Sequence, residues 1–132
     1  MIASIEEFAA LAENTDWESQ ERLRSDSASE EIWLKIISER PDLHDAVIFN
    51  RHIPQSAMRA LASSNDSRIR SLLANRRALP VDFFEKLAAD SDESVRARIA
   101  CNKKAPKPIL IMLAEDESPI IAEPARKRLE SL

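Results

Sequence analysis

Arg51, Arg77 and Lys103 stand 26 residues apart, with His52, Arg76 and Lys104 beside them. If the backbone repeats at that interval, equivalent side chains recur at roughly 10 Å, the spacing of packed helices. The six residues then form a ribbon of positive charge that can meet a phosphodiester backbone or an acidic protein face. The same residues equally suit turns between helices that are simply solvated. No aromatic side chain lies among them to stack on bases, which weakens the nucleic-acid version.

The other reactive residue types form no set. His44 and His52 lack neighbouring Asp, Glu or His at ligand spacing, so they read as surface residues and no metal is expected. Cys101 lies near Arg98, Lys103 and Lys104, cations that lower a thiol pKa. With no histidine base in view it reads as a small buried or half-buried residue. The carboxylate pairs Glu6–Glu7 and Glu30–Glu31 sit where a helix's first turn favours negative charge. Trp33, beside Ile32, Ile36 and Ile37, reads as core, whereas Trp17, after the potential cap Asp16, is a binding anchor if exposed. No nucleophile, base and acid converge, so no catalytic residue and no cofactor are assigned and the chain is expected not to be an enzyme.

Bulk properties narrow the class. The chain has 132 residues, 44% hydrophobic and 32% charged, a balance expected of one soluble domain. Its apolar runs are too short to span a bilayer. The N-terminal residues lack the basic-then-apolar pattern of a signal peptide, and a single cysteine excludes an internal disulfide. A cytoplasmic location is the expectation. Glycine is absent, which removes phosphate-cradling loops, dinucleotide fingerprints and tight hairpins. Charge is uneven: residues 1–42 carry four Lys/Arg against eleven Asp/Glu, a net −7, and residues 43–132 carry a net +3.

The elements that must position these residues follow from an internal repeat. Residues 43–68, 69–94 and 95–120 align without gaps. Pro54, Pro80 and Pro106 coincide, as do Leu61, Leu87 and Leu113, and Ala62, Ala88 and Ala114. Leu43, Ile69, Val95 and Ile121 form an apolar column; Val47, Leu73 and Ile99 another; Met58, Phe84 and Leu110 a third. Each copy reads as two helices, the second opening with its proline at the first helical position. The acidic link Asp90-Ser91-Asp92-Glu93 suits capping of the next helix. One pair cannot bury both apolar faces, but stacked pairs can.

The expected fold is therefore all-α, an α-α superhelix of about 26-residue helix pairs in one domain spanning 1–132. Residues 1–42 form N-terminal capping helices, with capping boxes at Ser4–Glu7 and Ser27–Glu30. Pro41 ends the helix that follows the second box. Residues 121–132 form the C-terminal cap: Ser118-Pro119 starts a helix, Pro124 kinks or restarts it, and Leu129 and Leu132 close the core.

Asp90-Ser91-Asp92-Glu93-Ser94-Val95-Arg96, followed by Ile99-Ala100-Cys101-Asn102 and Pro106, resembles the leucine-rich repeat variant and related HEAT-like repeats. Residues 43–121 carry the pattern. The resemblance implies a right-handed superhelix with a concave surface. It also implies that Arg70 and Arg96, in one column with His44, reach aspartates of neighbouring turns, with Asp66, Asp90, Asp92 and Asp116 at suitable offsets. Such a ladder would fix repeat register. Members of these families mostly bind proteins, and a few HEAT-like members excise damaged bases. One carries an iron–sulfur cluster on a cysteine motif that is missing here.

The functional expectation is a non-catalytic protein-interaction module, its partner and oligomeric state open. The binding candidates are Arg51, His52, Arg76, Arg77, Lys103, Lys104 and Trp17. One alternative is an immunity or inhibitor protein whose acidic N-terminal third plugs a basic toxin site, an analogy of size and shape. The other is a nucleic-acid binder using the basic ribbon, against which the pI near 5.3 weighs. No membrane partner is expected.

Overall fold

A computed structural model describes residues 1–77 and 79–132. The described residues form ten α-helices and no named strand. They fall into two compact units, Met1–Ser63 and Ser64–Leu132. No helix among them is long and apolar enough to cross a membrane.

The first unit holds α1 (Ile5–Glu13), α2 (Trp17–Ser25), α3 (Glu30–Glu39), α4 (His44–Phe49) and α5 (Gln55–Ala62), with a 3-10 turn at Pro41–Leu43 leading into α4. The capping box opens α1: the Ser4 hydroxyl accepts from Glu7 N–H at 3.1 Å, and the Glu7 carboxylate accepts from Ala3 N–H at 2.7 Å. Asp16 caps α2. The second expected box does not form. Ser29, not Ser27, caps α3, its hydroxyl accepting from Ile32 N–H at 3.3 Å, while the Ser27 carbonyl accepts from Ile2 N–H at 2.8 Å. That bond pins the buried Ile2 beside the start of α3. Phe8 of α1 meets Trp33 of α3 edge to face, with ring centroids 5.5 Å apart, and both are fully buried. Ile36, Val47 and Leu61 complete this core.

The second unit holds α6 (Ser67–Ala74), α7 (Val81–Ala88), α8 (Glu93–Cys101), α9 (Lys107–Ala114) and α10 (Pro119–Glu130). Here α6 packs on α8 and α8 on α10, while α7 packs on α9. Ile69, Leu73, Leu87, Val95, Ile99, Leu110, Leu113 and Ile121 meet between the two layers and are almost fully buried.

Pro54, Pro80 and Pro106 each stand at the N-cap of an eight-residue helix, one position earlier than expected. Their ψ values of 166°, 152° and 156° are extended, not helical, yet their carbonyls accept the first helical N–H groups. A proline fixes φ for this junction and loses no bond that a cap would make. At the C-terminus α10 runs unbroken through Pro124. Leu132 is exposed and Leu129 only half-buried, so they do not close the core. Ile121, Ala122 and Ala125 fill that place.

Leu87 and Trp33 have no exposed surface. Leu87→Ala should therefore cost about 2–5 kcal/mol and Trp33→Ala about 3–5 kcal/mol, measured by urea denaturation. A loss below about 1 kcal/mol at either position would contradict this packing.

Candidate functional site

Two sets of turns in the second unit carry opposite charge, and side chains lock each set. The acidic set begins with Arg70. Its Nε and Nη2 donate to the two carboxylate oxygens of Asp90 at 2.8 and 3.1 Å, and its Nη1 donates to the Ser64 carbonyl at 2.7 Å. Arg96 repeats the pattern: Nε and Nη2 to Asp116 at 2.9 and 3.4 Å, Nη1 to the Asp90 carbonyl at 2.8 Å. Both arginines reach 20 residues forward and 6 residues back. Each aspartate also orders its own turn, Asp90 accepting from Asp92 N–H at 2.9 Å and Asp116 from Ser118 N–H at 3.0 Å.

The four partners keep 9–17% of their side-chain surface exposed, so these pairs are shielded from competing water. The hydrogen bonds that Arg70 donates to Asp90 raise its pKa, and those that Arg96 donates to Asp116 raise its own. Burial pushes the Asp116 carboxyl up, but the Arg96 guanidinium and the Ser118 N–H outweigh it and hold the net value below the ordinary range. Asp92 accepts no hydrogen bond from an arginine among the described residues. It caps α8 by accepting from Ser94 N–H, and the Ser94 hydroxyl lowers its pKa, helped by the charge of Arg70. Asp66 caps α6 and pairs with its neighbour Arg68 at 3.6 Å. His44 continues the arginine column in sequence only, with its Nε2 2.7 Å from the Ile37 carbonyl.

The basic turns follow α6 and α8. Asn102 is 5% exposed. Its Nδ2 donates to the carbonyls of Ala74 and Arg76, both at 2.8 Å, and its Oδ1 accepts from Lys104 N–H at 2.9 Å. This clip joins the Arg76–Arg77 turn to the Lys103–Lys104 turn. Arg128 of α10 backs it by donating to the carbonyls of Ala100, Asn102 and Lys103. A cleft of about 220 Å³ results, lined by Asn75, Arg77, Cys101, Asn102 and Lys103. Arg77, Lys103 and Lys104 are exposed, while Arg76 is half-buried and burial lowers its pKa. Cys101 is exposed, not buried as expected, because it ends α8 on the side facing the cleft.

Arg51 and His52 belong to the first unit, where Asn50 makes the equivalent clip. Its Nδ2 donates to the carbonyls of Leu23 and Asp26 at 2.8 Å, and its Oδ1 accepts from His52 N–H at 2.7 Å. Arg51 N–H donates to the Arg24 carbonyl at 2.9 Å, and its side chain is exposed. Trp17 is 75% exposed at the start of α2. Among the described residues no group of three or more His, Cys, Asp or Glu is placed to hold a metal ion.

The expectations from sequence gave no role to Asn50, Asn102 or Arg128, although Asn102 stood within the quoted repeat pattern. A signal for the asparagines existed. They stand two repeat lengths apart, but Arg76 occupies the position between them and hides the column. Arg128 carried no such signal, because it comes from the irregular C-terminal helix.

Arg96→Ala should lower the unfolding midpoint by roughly 5–10 °C, since it strands Asp116 and the Asp90 carbonyl; an unchanged melting curve would remove the ladder. Asn102→Ala should cost about 2–3 kcal/mol, read by denaturant titration. Because the Asp116 and Asp92 pKa values are depressed on folding, their contribution is complete above the unfolded carboxylate range, near pH 4. It drains away as pH falls through the lower folded values. Melting curves between about pH 6 and pH 2 should show this acid loss, and Arg96→Ala should make it shallower. Compared with known proteins, the chain matches no family model, no curated protein and no solved structure.

Proposed function

We propose that this chain is a non-catalytic protein-binding module, built as a short α-solenoid of about 26-residue helix pairs of the leucine-rich-repeat-variant or HEAT-like kind. Helices opening at Gln55, Val81 and Lys107 behind aligned prolines support the repeat reading. The observation that carries the functional reading is the clipped basic edge of the second unit. Asn102 and Arg128 spend their hydrogen bonds on holding two turns together, and those turns present Arg77, Lys103 and Lys104 outward. Cations held on a rigid frame lose little freedom when an acidic surface docks, so more of the contact energy survives as affinity. The reading places the protein in the cytoplasm, with Cys101 reduced.

A second reading, nucleic-acid binding, draws on one observation: Arg77 and Lys103 flank a single cleft, a geometry that also suits a phosphate. The pI near 5.3 and the lack of an exposed aromatic beside that cleft support the protein reading over it.

Chemical cross-linking in nuclease-treated extract of the source cell should give a discrete protein adduct. Arg77→Glu with Lys103→Glu and Lys104→Glu should abolish it without lowering the melting temperature. Absence of any protein adduct would reject the module. Retention on heparin at low salt, with steep loss as salt rises, would favour the nucleic-acid reading instead.

A further inference from the structure

We propose that the groove between α2 and α4 in the first unit docks a cationic, apolar-anchored segment of a protein partner. The proposal rests on the protein-binding reading but on a different surface and different residues. The chain has six aromatic side chains, and Phe8, Trp33, Phe83 and Phe84 are 0–2% exposed. The other two, Trp17 at 75% and Phe49 at 58% exposure, stand on the two helices that form this groove. The groove has a volume of about 370 Å³ and is lined by Gln20, Leu23, Arg24, Asp45, Ala46 and Phe49. Trp17 lies outside this lining, one and two turns ahead of Gln20 and Arg24 on the same face of α2, so it stands beyond the groove's end along the helix.

Packing does not require an aromatic at position 49. The equivalent positions 26 and 52 residues later are Asn75 and Cys101, both exposed at the ends of their helices. Large aromatics left in water are the residues that dominate binding energy when a partner covers them. The groove is also rigid before any partner arrives. Asn50 donates to the carbonyls of Leu23 and Asp26, and Arg51 N–H donates to that of Arg24, tying the C-terminal ends of the two helices together.

Charge selects the occupant. The first unit carries six Lys/Arg against twelve Asp/Glu, a net −6. Asp16 and Glu18 are exposed on either side of Trp17. The cation in the lining, Arg24, is paired with Glu21 at 3.3 Å. A segment that lies along the groove from Phe49 towards Trp17 therefore meets a negative field at the Trp17 end. Lys or Arg is favoured there, and phosphate is repelled.

The test uses the full chain and a fluorescein-labelled amphipathic peptide of Leu and Lys, about 15 residues long, with a Leu and Glu counterpart. Anisotropy should show saturable binding of the Leu/Lys peptide that weakens with salt. Trp17 emission should move to shorter wavelength, with the fully buried Trp33 contributing no shift. Trp17→Ala with Phe49→Ala should weaken binding by at least about tenfold at an unchanged melting temperature, since both side chains are exposed. Glu18→Lys should weaken it less. No binding, equal binding of the Leu/Glu peptide, or full affinity in the double variant would overturn the proposal. So would displacement of the peptide by a single-stranded oligonucleotide, or a concentration-dependent doubling of mass abolished by the double variant. Any of these with the cross-linked protein adduct intact would reject the groove alone, whereas loss of the adduct rejects the protein-binding reading itself.

Discussion

An eight-residue helix leaves four N–H groups and four carbonyls without partners inside it, as many as a helix three times its length. Chains of short helices therefore stand or fall by what satisfies their ends. In this protein side chains do that work. Arg70 and Arg96 each hold a turn carbonyl and a turn carboxylate at once. Asn50 and Asn102 each bridge two carbonyls of an earlier turn and accept an N–H from their own. Without these bonds the apolar columns would still collapse, but nothing would fix where one turn lies beside the next.

The division of labour has an electrostatic result. Arg70 and Arg96 lock their turns with aspartates as partners, so those turns are acidic and the paired charges are satisfied internally, whereas Arg128 spends its donors on backbone carbonyls. Asparagine locks turns without using charge, so the cations around Asn102 remain turned to solvent. Acidic and basic turns thus arise from two ways of solving one backbone problem, and only the second leaves net charge free to meet something else.

Much of the helix pattern was legible in the residues. Aligned prolines marked the second helix of each pair, and Ile69, Leu73, Val95 and Ile99 marked the buried face of the first. That Arg70 and Arg96 reach aspartates of neighbouring turns was implied by a family resemblance that offered four candidates; which two they take was not legible, because twenty residues separate the partners and no local rule links them. What escaped has physical reasons too. α2 buries Leu23 alone, so it offers no apolar period to read. The Ser27–Glu30 spacing read as a capping box, but Ser29 caps α3 while the Ser27 carbonyl accepts from Ile2 N–H. The α2–α4 groove was invisible because it joins residues more than twenty positions apart, although Trp17 itself stood out. Cys101 was misjudged because a small apolar side chain at a helix end has no periodicity to place it.

No described residue has a positive φ, and the chain contains no glycine. Every turn among the described residues is therefore built from backbone conformations open to L-amino acids in general, and no described loop position is reserved for a residue that only its own conformational freedom could justify. Drift through the loops is then policed by side-chain chemistry alone. Descendants of such a sequence could exchange most of their turn residues and keep the architecture, provided the arginine, aspartate and asparagine spacings survive. Those spacings, rather than overall identity, are the mark by which distant kin of this chain would be recognised.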